Sequence, residues 1–117
     1  MNLPKSINVF GVEYKIFIDS EKDNPKIKGN HGYCETIAKE LHLNDNLFNE
    51  FKDDVMLLKD WKNYWKKVMR HELIHAMIYE SGLGDCCEWA DNEELVDWLS
   101  MQFPKMLDLF SKLKVAV

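Results

Sequence analysis

The sequence predicts an α+β domain in which a small antiparallel sheet packs on helices from the second half of the chain. Three observations carry this. Residues 7–18 are rich in β-branched and aromatic side chains that partly alternate with polar ones, the period of a strand with one buried face. Trp61 to about Glu80 places apolar residues at helical spacing. A further helical pattern starts near Asp91 and runs to Leu113. At 117 residues the chain is long enough for one core and short for two, so residues 1–117 are expected to form a single domain.

Ile7 to Phe10 and Val12 to Ile18 are expected as two strands, or one bent strand, around Gly11. The polar stretch 19–29 contains Pro25 and Gly29 and is expected as a loop. His31 to Glu35 supplies a short strand and the candidate sheet edge. Ile37, Leu41 and Leu43 fit either a helical turn or a strand. A strand is preferred, because an isolated two-stranded ribbon is barely stable in water. Asn44-Asp45-Asn46 is a turn or cap. Leu47, Phe48, Phe51, Val55, Leu57 and Leu58 suggest a short helix or compact loop.

Asp60 is placed to cap the long helix. Gly82 and Gly84 end it. Asp91 and Glu94 have the offset of a capping box for the next helix. Leu95, Trp98, Leu99 and Gln102 mark its expected inner face, and Pro104 is expected to break or kink it.

The net charge of −5 argues against nucleic acid as the main partner, since phosphate contacts need clustered Lys and Arg. The local cluster Lys62, Lys66, Lys67 and Arg70 is expected to be the solvated face of its helix. No apolar run is long enough to span a bilayer, and the first residues have no apolar signal core. Cys34, Cys86 and Cys87 make an odd count with two adjacent, which does not suit a disulfide framework. A reducing, cytoplasmic setting is therefore expected. The oligomeric state is not legible.

The chemistry concentrates in His71-Glu72-Leu73-Ile74-His75. On a helix, residues i and i+4 share a face, so His71 and His75 can present two imidazole nitrogens to one metal ion. Glu72 follows the first histidine and can turn toward a water in an open coordination position. Two histidines, a third ligand elsewhere and a carboxylate base are the parts of a zinc hydrolase. The chain has only four histidines, and burying two of them with a Glu on an apolar helix would be costly without a shared partner. His31 and His42 are expected as ordinary partly buried histidines.

The candidates for the third ligand are Glu88, Asp91, Glu93, Glu94 and Asp97. Glu94 is claimed by the capping box. Glu93 and Asp97 are i and i+4 and face the same way, so Glu93 can ligate while Asp97 accepts the free ring N–H of a ligand histidine. Glu93 is therefore preferred, with Glu94 the alternative.

His71-Glu72-Leu73-Ile74-His75 followed by Asn92-Glu93-Glu94-Leu95-Val96-Asp97 resembles the gluzincin pattern, H-E-x-x-H followed by N-E-x-x-x-D. The likeness runs from Arg70 to Pro104; residues 1–60 match only in general layout. It extends to small phage and prophage metallopeptidase-like proteins of minimal, mini-zincin layout. The resemblance implies that Glu93 is the third zinc ligand and that Asn92 and Asp97 hydrogen-bond the ligand histidines. Thermolysin-like members place further His or Tyr side chains over the scissile carbonyl from another domain, for which this chain has no room. His31, Tyr33 and Tyr79 are the possible stand-ins.

The expected function is a zinc-dependent metallopeptidase acting on a peptide or protein substrate. Zn²⁺ would be held by His71, His75 and Glu93, with Glu72 as general base. An extended substrate would lie along the sheet edge. The alternative is a non-catalytic, metal-stabilised binding or regulatory module. Glu72 favours catalysis, because a purely structural site has no need of a carboxylate beside its first histidine.

Overall fold

The computed structural model describes residues 2–54 and 59–117. Val55, Leu57 and Leu58, assigned above to a short helix or compact loop, lie outside them. The chain forms β1 (Ser6–Val9), β2 (Val12–Asp19), β3 (Gly32–Glu35) and β4 (Glu40–Asn44), then α1 (Leu47–Glu50), α2 (Trp61–Glu80), α3 (Leu83–Cys86) and α4 (Glu93–Lys112). Short 3-10 turns occupy Pro25–Ile27 and Glu88–Asp91. The architecture is mixed α and β, with one four-stranded sheet. Among the described residues no helix is long and apolar enough to cross a membrane.

Of the two strands or one bent strand expected around Gly11, the chain forms two, β1 and β2, paired antiparallel as a hairpin. Phe10 and Gly11 both adopt positive φ, 51° and 96°, which matches the right-handed twist of the flanking strands in a two-residue turn. The sheet as a whole corrects the expectation of an antiparallel one. Its order is β1-β2-β4-β3, and β2 pairs with β4 in parallel. After β2 the chain crosses over through residues 20–31, forms the outer strand β3, and returns as β4 between β2 and β3. β4 wins the central place because it is the most completely buried strand, from Leu41 to Asn44, and a central strand satisfies its backbone groups on both sides. Asn44, expected in a turn or cap, is buried and anchors the crossover. Its amide donates to the Asn30 carbonyl (2.9 Å) and to Glu50 Oε2 (2.9 Å).

The core lies between one face of the sheet and α2. It joins Val9, Tyr14, Leu41 and Leu43 to Tyr64, Val68, Met69 and Ala76. β3 is an edge strand, as expected, and Gly32 sets how closely it approaches α2. A Cβ there would stand 2.5 Å from the His42 carbonyl oxygen, 2.9 Å from Val68 Cγ1 and 3.5 Å from Glu72 Cγ. Gly32→Ala should therefore destabilise the fold by about 1–3 kcal/mol, the usual cost of overpacking. Denaturant unfolding would measure it, and a wild-type midpoint would refute the close-packing argument.

Both long helices differ from expectation at their starts. Asp60 sits at the N-cap position of α2, but its carboxylate accepts from the Asn63 side-chain amide (3.2 and 3.1 Å) and caps no backbone N–H. α4 is capped by Asn92, not by an Asp91–Glu94 box; Asn92 Oδ1 accepts from the Leu95 N–H at 2.9 Å. The buried face of α4 is Val96 and Ser100, and Trp98 is exposed. Nor does Pro104 break the helix, which continues to Lys112. Proline cannot donate to the Ser100 carbonyl one turn earlier. Arg70 of α2 donates to that carbonyl instead, at 2.7 Å, which also ties α2 to α4. Arg70, expected on a solvated face, is therefore a clamp between helices.

Candidate metal centre

α2 presents His71 and His75 one turn apart, with ring centroids 4.9 Å apart. Their Nε2 atoms approach to 3.1 Å. Glu93 is the first residue of α4, so its side chain leaves the helix end and reaches both histidines. Glu93 Oε2 lies 2.9 Å from His71 Nε2, and Oε1 lies 3.0 Å from His75 Nε2. Among the described residues this is the one group of three such side chains close enough to share a metal ion. Glu94 is exposed.

The triangle fits a zinc-sized ion. Ligands bound tetrahedrally at about 2.0–2.1 Å stand about 3.3 Å from one another. Here the two Nε2 atoms stand 3.1 Å apart, and each meets its own Glu93 oxygen at 2.9 or 3.0 Å, with one ligand atom from each residue within 4.8 Å of the others. Four lone-pair-bearing atoms this close, the two Nε2 and both Glu93 oxygens, need shared protons or a cation between them.

Asp97 accepts from His71 Nδ1, the two atoms 3.2 Å apart. A proton fixed on Nδ1 leaves the Nε2 lone pair for the metal. Burial works against ionisation of Asp97, but its bonds and attraction to Lys67 and His71 outweigh this and hold the carboxyl below its usual range. Lys67 was expected to be solvated. It pairs with Asp97 and is mostly buried in doing so. The signal for it was present: Lys67, His71 and His75 recur at i, i+4 and i+8 on one helix face.

Asn92 departs from the role the resemblance implied. Its side-chain oxygen is committed to capping α4, and among the described residues it bonds neither histidine. Asp97→Ala should weaken metal binding about 10–100-fold, the usual effect of removing such a partner. A competition titration with a chromophoric chelator would show it. Unchanged affinity would mean that Asp97 matters only to Lys67.

Glu72 is turned in beside His71 and is only 8% exposed. Burial, and then the nearby Glu93, push its carboxyl up to about 7, with Lys67 opposing. A base is most effective when its pKa lies near the working pH. Glu72, His71, His75 and Glu93 line an open groove of about 560 Å³, and residues of β3 form one of its walls. Cys34 lies on that wall. Burial, with Glu72 and other carboxylates adding to it, pushes its thiol up to about 12, which favours the protonated thiol at neutral pH.

The remaining candidates separate by face. Gly32 and Cys34 point toward α2, so Tyr33 between them points to the far side of the sheet. There its ring stacks on His42, centroids 4.3 Å apart, and its hydroxyl accepts from the Asn24 amide at 2.7 Å. Tyr33 lines the groove, but its ring and hydroxyl are committed to His42 and Asn24. His42 is held between Phe17 and Tyr33, with Asp19 and Glu40 on its ring nitrogens, and is not among the residues that line the groove. His31 bonds the Tyr64 hydroxyl (2.9 Å) and lines a smaller cavity of about 260 Å³ with Lys67, His71, Glu72 and Asp97. Tyr79 lines the main groove. His31 and Tyr79 therefore remain beside the site. Comparison with protein-family models, curated protein sequences and solved structures found no match to this chain.

Proposed function

We propose that this chain is a zinc-dependent metallopeptidase of gluzincin type. The observation that carries the reading is the convergence of Glu93 from α4 onto both histidines of α2, with the buried Glu72 carboxylate adjoining them at the floor of a groove. His71, His75 and Glu93 would hold the metal. Zinc bound there would supply a Lewis acid for the scissile carbonyl and bring a water toward pKa ~7.

The protein's own residues do the rest. Asp97 holds the His71 ring in one tautomer and orientation. Glu72, with a pKa near neutrality, takes the water's proton and passes it to the leaving amine. β3 pairs with β4 on one side only, and its other edge offers main-chain N–H and C=O groups to an extended peptide beside the site. His31, lining the adjoining cavity, and Tyr79, lining the groove, would be the stand-ins for the side chains that meet a developing oxyanion.

The test is a mixed peptide library incubated with protein purified without chelator. Cleavage that is lost on chelation and restored by zinc supports the reading. If zinc is bound and no peptide is cut, the site is a metal staple in a binding module. If no zinc is bound and no peptide is cut, the metal reading fails as well.

A further inference from the structure

The C-terminal half of α4 carries a feature that the metal centre does not use. Leu99, Phe103, Met106, Phe110 and Leu113 follow one another at steps of 4, 3, 4 and 3 residues, the spacing of a helix-to-helix seam. Leu107 and Leu109 flank the stripe. At about 100° per residue the stripe is centred roughly 80° around the helix from Val96 and Ser100, which are the buried residues of α4. Much of it is left open: Phe103 is 50% exposed, Phe110 44% and Leu113 74%, with Leu107 48% and Leu109 59% on its flanks, while Leu99 and Met106 are half-buried. Lys105, Asp108 and Lys112 occupy the opposite side, where Asp108 and Lys112 pair at 2.8 Å.

We infer that this stripe is the interface of a homodimer, in which α4 of one copy packs on α4 of the other. Three arguments favour a second copy over another occupant. A seam with this period is complementary to another of its own kind, and a two-fold axis lays the patch on itself. The exposed apolar side-chain area is on the order of 600 Å², at the upper end of what lone soluble chains leave open. With its rim, that area approaches the ~800 Å² per partner of a standard interface. The charges of this part of the helix lie on the outer side, so pairing buries no unpaired ion. A lipid surface is the poorer fit, because the chain carries a net charge of −5 and anionic headgroups would repel it.

Sedimentation velocity on the full chain at ~10–200 µM tests this. The expected mass is twice 13.8 kDa. Phe110→Glu and Phe103→Glu should raise the dimer dissociation constant at least ~100-fold. Neither residue touches the metal ligands, so zinc content should stay at the wild-type level. Phe110→Leu should keep the dimer. If a Phe variant misfolds, Leu113→Lys probes the same stripe at its most exposed position. A wild-type monomer at 200 µM, or a dimer that survives Phe103→Glu/Phe110→Glu, overturns the inference. So does a monomeric wild type that pellets with phosphatidylcholine–phosphatidylserine vesicles.

Discussion

Glu72→Gln is expected to lower peptide hydrolysis by about 10²–10⁴-fold, the usual share of general acid–base catalysis, while zinc content stays unchanged. Glu72 lies beside the ligand triangle and is not one of its corners. Glutamine keeps its size and hydrogen-bonding reach and removes only the base. Equal cleavage by both proteins would point to another site or a contaminant. Stability should change as well, in a direction that only the structure shows. The folded protein holds Glu72 at about 7, above its ordinary value of 4.5. Between these values the folded state binds more protons than the unfolded one, so the carboxyl's contribution to stability falls as pH rises through this window. In the metal-free protein Glu72→Gln should therefore stabilise by roughly 1–3 kcal/mol above pH ~7. The gain should vanish below pH ~4.5, where both states are protonated. Thermal melts at pH 4 and pH 8 decide it; a mutant no more stable at pH 8 would mean that Glu72 is well solvated.

His71→Ala/His75→Ala is expected to abolish zinc binding, since Glu93 alone cannot form a closed site. Glu93→Gln should bind far more weakly than wild type, and Glu94→Gln should match wild type. The loss has a second readout that does not depend on activity. A ligand that binds only the folded state stabilises it by about 2.7 kcal/mol at a hundredfold excess over Kd. Chelation should therefore lower the melting temperature of the wild type and leave that of the double variant in place. Full zinc occupancy in the double variant would remove the assignment. If Glu94→Gln lost the metal while Glu93→Gln kept it, the third ligand would be misplaced by one residue.

The parts of the site that depend on local geometry were legible in the sequence. A separation of four residues on a helix puts two side chains on one face whatever the rest of the fold does. This places His71 beside His75, and it turned Glu93 and Asp97 toward the same neighbour before any contact was known. The extended segments on either side of Gly11 and the short strand near His31 to Glu35 also followed from short-range pattern.

The tertiary structure decided what depends on residues distant in sequence. β4 lies parallel to β2 because a long crossover lets the most buried strand take the centre, and alternation along a strand does not encode its neighbours. Asn92 is a cap and not a partner of the histidines, because α4 starts one residue later than its acidic pattern suggested. Pro104 stays within α4 because Arg70 on another helix supplies the hydrogen bond that proline cannot. Lys67 looked like any exposed lysine until α4 brought Asp97 against it. The sequence shows that a glutamate follows His71; only the fold, which brings β3 at Gly32 close against it, buries it and pushes its pKa up.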